Sequence, residues 1–142
     1  MRRKLLVSLL ALGSLYALTG MPAFGMVTST VRVNVPFSFI VQKTVLPAGR
    51  YVITPLDSND PNILVIRGED GRRSAIVVTD PVVPTANTPQ GAELVFERVG
   101  NREYLTQIWE SGVDDGNEIP EKETQHTGSQ AAQLQTIPAH KG

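Results

Sequence analysis

The chain has 142 residues, 41% of them apolar, with 13 Lys and Arg against 14 Asp and Glu for a net charge of -1. That length admits one domain, and that apolar content supports a real core and excludes a wholly disordered chain. The charge is unevenly placed: residues 1–25 carry three bases and no acid, residues 26–109 carry eight of each, and residues 110–142 carry six acids against Lys122 and Lys141.

Met1-Arg2-Arg3-Lys4 is a basic start, Leu5 to Thr19 is an uncharged, largely apolar run, and Ala23 and Gly25 are small residues two apart. This order predicts a secretory signal peptide over 1–25, cleaved after Gly25. The apolar run falls short of the roughly 20 residues that a membrane span needs, so no span is expected after cleavage. There is no cysteine. A lipid-bearing cysteine and disulfides are therefore excluded, and the core of an exported chain must hold the fold alone. We expect a periplasmic or secreted protein.

From Val31 to Val41 apolar residues alternate with others over eleven positions, the period of a half-buried strand. Pro36 cannot donate to a ladder, which predicts an edge strand or a bulge there. Leu46-Pro47-Ala48-Gly49 reads as a turn, Arg50 to Thr54 as a second strand, and Pro55 to Asn62 as a polar loop. Ile63 to Arg67 and Arg73 to Thr79 flank Asp70-Gly71, a strong hairpin signal. A two-residue turn there sets Glu69 on Arg72, Ile66 on Ala75, Val65 on Ile76, Leu64 on Val77 and Ile63 on Val78. Both faces of this hairpin are apolar, which predicts a central position covered on both sides. Asp80 to Gly91, with Pro81, Pro84 and Pro89, reads as a loop. Glu93 to Val99 and Arg102 to Glu110 pair around Gly100-Asn101, in an even register that sets Arg98 on Glu103 and Phe96 on Leu105.

Residues 26–111 thus read as one all-β domain, a small antiparallel meander of six or seven strands closing as a barrel or a two-sheet sandwich. Residues 112–142 read as a polar acidic tail, mostly disordered beyond Gly128, with a short helix expected near 120–125.

Several of these segments, taken in order, carry a resemblance. They are Val35-Pro36-Phe37-Ser38-Phe39, Leu46-Pro47-Ala48-Gly49-Arg50-Tyr51, Asp70-Gly71-Arg72-Arg73-Ser74-Ala75, Leu94-Val95-Phe96-Glu97-Arg98 with Gly100, Tyr104-Leu105-Thr106-Gln107-Ile108-Trp109, and Glu118-Ile119-Pro120. Together they resemble a family of small exported all-β proteins of unknown function common in Acidobacteria. The resemblance spans about residues 31–120 and implies export and fold, but no activity. Family members continue past this point into a short basic helical end, whereas this chain continues with Glu121, Glu123 and a Gln-rich tail.

The residues for most chemistry are missing. His126 and His140 are the only histidines, fourteen apart in the tail, and without cysteine no thiolate zinc site exists. Asp57 to Asn62 and Asp114 to Glu118 hold oxygen ligands, yet counting from Asp57 the sixth and twelfth positions are Asn62 and Gly68, where an EF-hand loop needs Gly and Glu. Turns are the simpler reading, and no metal or cofactor is expected. No nucleophile elbow and no histidine base lies in the β body. A glycosidase needs two poised carboxylates; Glu93, Glu97, Glu103 and Glu110 flank one hairpin, but Arg98 and Glu103 are expected to pair, and mixed surface charge on a sheet is the commoner case. No glycine-rich phosphate loop opens a helix. The chain beyond residue 25 is net -4, which disfavours nucleic acid and anionic membranes as partners. Tyr51, Tyr104 and Trp109 are the candidates for an aromatic contact surface.

The expectation is an exported, non-enzymatic β domain that binds an extracellular or periplasmic protein or assembles with itself. A small apolar-ligand carrier and a polysaccharide-acting hydrolase are the alternatives.

Overall fold

The computed structural model describes residues 30–86, 88–111, 116–120 and 133–142. Among them are eleven strands and no helix, forming one nearly closed, barrel-like sheet. No helix of the described residues is long and apolar enough to cross a membrane. The expected signal peptide lies outside the described residues.

The run from Val31 to Val41 is not one strand. It stops before Pro36, which has no N–H to donate, so β1 (Val31–Val35) ends there and the chain resumes as β2 (Phe39–Val41). Nor is β1 an edge: it lies between β4 (Gly49–Asp57) and β11 (Gln133–Lys141). β2 joins the other half of the sheet, parallel to β9 (Arg102–Trp109) where Ile40 meets Tyr104. The inward period survives the break, since Val31, Val33, Val35, Phe39 and Val41 are all buried. Gln42-Lys43 then reverses the chain into β3 (Thr44–Leu46), with Gln42 at φ 54°. A left-handed residue with a Cβ is costly, and no turn signal in the sequence marks this hairpin.

The polar stretch 55–62 is a tight hairpin and not a loop. β4 runs to Asp57 and β5 (Asp60–Gly68) starts three residues later, with Asp57 Oδ1 accepting from the Asn59 N–H at 2.9 Å. β5 and β6 (Ser74–Val78) pair in the predicted register, Ile63 on Val78 through Ile66 on Ala75. The tip is wider than a two-residue turn. Gly68 N–H donates to Arg73 O at 2.8 Å, and Gly71 N–H, at φ 71°, donates to Gly68 O at 2.9 Å. Glu69 N–H turns away to Arg50 O at 2.9 Å.

β8 (Glu93–Val99) and β9 hold the even register, with Arg98 on Glu103 and Phe96 on Leu105. Gly100 has φ 63° and Asn101 does not have positive φ, the signature of a type II′ turn.

Two connections nearly close the sheet. β7 (Asp80–Val82), expected as loop, follows β6 directly after Thr79 and pairs with β10 (Gly116–Glu118), which pairs with β9. Thr79 pins this junction. Its N–H and hydroxyl both donate to Asn62 O, at 2.9 and 3.0 Å, and its hydroxyl lies 3.2 Å from Asn117 Oδ1. β11 makes the second connection. Residues 133–138 pair with β8 and 139–141 with β1, so Pro138 stands where the strand passes from one neighbour to the next. The disorder expected beyond Gly128 is therefore overturned for residues 133–141. Backbone pairing with β8 and then with β1 holds this segment, with little help from its own apolar surface. Arg98 donates to Gln135 at 3.1 Å, and Lys141 lies 3.9 Å from the buried Glu110. The helix expected near 120–125 falls, Pro120 apart, outside the described residues.

The meander thus holds for β2–β3, β4–β5–β6 and β8–β9, while β11 inserts between distant strands. The interior is filled by aliphatic side chains around an aromatic stack. Phe37 meets Phe96 edge-on at 5.1 Å, Phe96 meets Phe39 at 5.5 Å, and Phe39 meets Tyr51 at 5.1 Å.

Candidate functional site

The sequence Ile63-Leu64-Val65-Ile66 in β5 and Ala75-Ile76-Val77-Val78 in β6 has apolar residues at both strand parities. Successive side chains face opposite sides of a sheet, so one set enters the barrel and the other cannot. Leu64, Ile66, Ala75 and Val77 take the interior. The outer set is left on the surface: Ile76 is 58% exposed and Val78 54%, with Leu56 exposed on β4 at 53%. Val65, next to Ile76 in the ladder, is buried. The hairpin is therefore not central and doubly covered as expected. It ends the strand order, with β6 paired to β5 alone among the described residues. The barrel interior admits one face of it, and no second layer lies over the other among the described residues.

An arginine-rich tip adjoins this face. Glu69 Oε1 lies 3.3 Å from Arg32 and Oε2 lies 3.1 Å from Arg50, so one carboxylate bridges two strands. Arg67, Arg72 and Arg73 are exposed around it. A groove of about 250 Å³ runs between the Pro47–Gly49 turn and the Gly68–Arg73 tip, with Tyr51 in its floor. Asp70 accepts from the Arg72 N–H at 3.0 Å, which makes it a turn former. The charged groups of this groove neutralise one another in part and leave no convergent catalytic set.

The three aromatic candidates do not come together as a contact surface. Tyr51 is 2% exposed; its hydroxyl donates to Pro47 O at 2.6 Å and its ring meets Phe39 edge-on. Burial pushes its phenol above the usual value, Asp70 adds to the rise, and Arg73 opposes it. Trp109 is 3% exposed, with its indole N–H donating to Gln107 Oε1 at 3.1 Å. Its ring lies against Gly116, where a Cβ would fall 2.7 Å from the ring atoms. Tyr104 is half-buried beside Ile40 and Glu97 in the ladders. All three serve the packing and pairing of the barrel.

The acids are equally dispersed. Glu103 is buried against Arg98, with Oε2 lacking a hydrogen-bond partner among the described residues. Asp57 is engaged in its own turn. Among the described residues no group of three His, Asp or Glu side chains could hold a metal ion. His140 stands on β11 opposite Arg32, while His126 and Asp114-Asp115 lie outside the described residues. Comparison with family models, with curated proteins and with solved structures gives no match.

Proposed function

We propose that this chain is an exported, non-enzymatic β domain that works in the periplasm or outside the cell by binding a protein surface or its own kind. The observation that carries the reading is the exposed apolar outer side of β6, with Ile76 and Val78 both more than half exposed. A contiguous exposed apolar face on a small domain marks an interaction site. The basic start, the short apolar run and the Ala23-Phe24-Gly25 end support export, as does the resemblance to small exported β proteins. The stack of Phe37, Phe96, Phe39 and Tyr51 occupies the interior, which weighs against a carrier of apolar ligands. The burial of Glu103 and Glu110 weighs against a pair of carboxylates flanking a sugar.

Expressed with its leader, the chain is expected in the periplasm or the medium and, in light scattering, to associate as concentration rises or on adding its partner. Replacing Ile76 and Val78 together by Ser is expected to leave thermal unfolding nearly unchanged and to abolish that association. Association that survives the double replacement would place the binding face elsewhere and remove the basis for this reading.

A further inference from the structure

We propose that the occupant of the open β6 edge is a second copy of this chain, paired antiparallel along Ser74–Val78 about a two-fold axis at Ile76. The proposal rests on the reading of β5–β6 as an interaction face, and it adds the partner, the register and the bonding. Three observations carry it.

The first is backbone polarity. Thr79 N–H donates to Asn62 O and Gly68 N–H to Arg73 O. Hydrogen-bonded pairs alternate along an antiparallel ladder, so residues 73, 75, 77 and 79 turn their backbone groups toward β5. The N–H and C=O groups of Ser74, Ile76 and Val78 then point to the open edge. A two-fold axis at Ile76 sets Ile76 on Ile76, and Ser74 on Val78 in both directions. Every free donor thereby meets a free acceptor.

The second is the lack of protection. Edge strands of soluble proteins carry a charge, a proline or a bulge that blocks further pairing. Ser74-Ala75-Ile76-Val77-Val78 has no charge and no proline, and its ladder with β5 is regular. The blocking groups stand just beyond its ends, at Arg72 and Asp80.

The third is charge. The same axis brings Arg72 of one copy opposite Asp80 of the other, twice by symmetry. Both side chains are exposed, and neither has an ion partner among the described residues. Glu118, exposed and paired with Asp80 in the β7–β10 ladder, adds a second carboxylate where Arg72 arrives. A shift of the axis by one residue in either direction separates Arg72 from Asp80 and shortens the overlap of the five-residue strands. The apolar face then runs continuously across both copies, Ile76 beside Ile76.

The test is charge exchange in the full-length chain, read by sedimentation velocity over a range of concentrations. Wild type is expected to dimerise. Arg72→Asp alone and Asp80→Arg alone each set like charges face to face, and each is expected to weaken the dimer on the order of tenfold or more. An equimolar mixture of the two variants restores both opposite-charge pairs between unlike copies and is expected to recover the wild-type dimer as a heterodimer. Circular dichroism of each variant guards against misfolding. Single variants that dimerise as well as wild type, or a mixture that does not recover, overturn the edge register. If the Ile76 and Val78 replacements still dissolve that dimer, the open-face reading stands without the register. A wild-type chain that stays monomeric at every concentration overturns self-pairing and leaves a different partner for the face.

Discussion

Tyr51 shows how one side chain can serve the core and a surface groove together. Its ring closes the aromatic stack on Phe39 while its hydroxyl reaches the Pro47 carbonyl at the rim. Tyr51→Phe keeps the ring and removes the bond, so unfolding free energy is expected to fall by about 0.5–1.5 kcal/mol in a urea titration. The phenol also ties stability to pH. Its pKa is raised in the fold above an ordinary value of 10.0, so the folded state holds the proton more tightly than the unfolded one. That contribution is fully present below about pH 10 and is lost as pH rises through the folded value. Stability measured from pH 8 to 11.5 is therefore expected to decline more steeply at its alkaline end in wild type than in Tyr51→Phe. Equal slopes would show that the ring is not shielded from water as the structure has it.

At the scale of elements, the junction of β6 and β7 decides the architecture. β6 belongs to one half of the sheet and β7 to the other, and the chain crosses between them at Thr79. Thr79 and Asn117 are each 2% exposed, and buried polar groups of this kind are costly to leave unpaired. Thr79→Val keeps the shape and the backbone bond to Asn62 but removes the hydroxyl. The expected cost is about 1–3 kcal/mol, accompanied by faster amide exchange in Gly116–Glu118 than in β4 or β8. Uniform acceleration across all strands would mean that β7–β10 is not a separate closing element.

For the whole molecule, β11 joins the two halves, pairing with β8 along most of its length and with β1 at its end. A chain ending at Pro120 leaves β1 and β8 without their shared neighbour and uncovers the core beside Ile137 and Ala139, which pack against it. Such a truncation is expected to lose the cooperative unfolding transition seen by circular dichroism. A truncated chain with a normal transition would make the tail dispensable, as a polar tail would be. The same scale governs the outer side of β6: Ile76 and Val78 stay exposed because the barrel has one interior, and neither strand could report this alone.

What was legible in the sequence was local. Alternation gave the inward residues from Val31 to Val41, and Asp70-Gly71 and Gly100-Asn101 marked two hairpins whose ladders run in the expected registers. An all-β fold followed from these patterns, because turn chemistry and side-chain parity act over a few residues. The candidate site was legible only in part. Apolar residues on both faces of 63–79 were plain, but which face would be covered was not. The expected doubly covered hairpin failed because a barrel of this size offers one interior. β3, β7 and β10 are each three residues long, too short to show a period. β11 has Gln133 and Gln135 on the parity of Ile137 and Ala139, where a self-sufficient strand would have apolar residues. Its order comes from two neighbours far away in the chain, and that pairing exists only once the tertiary structure has brought β1 and β8 to either side of it.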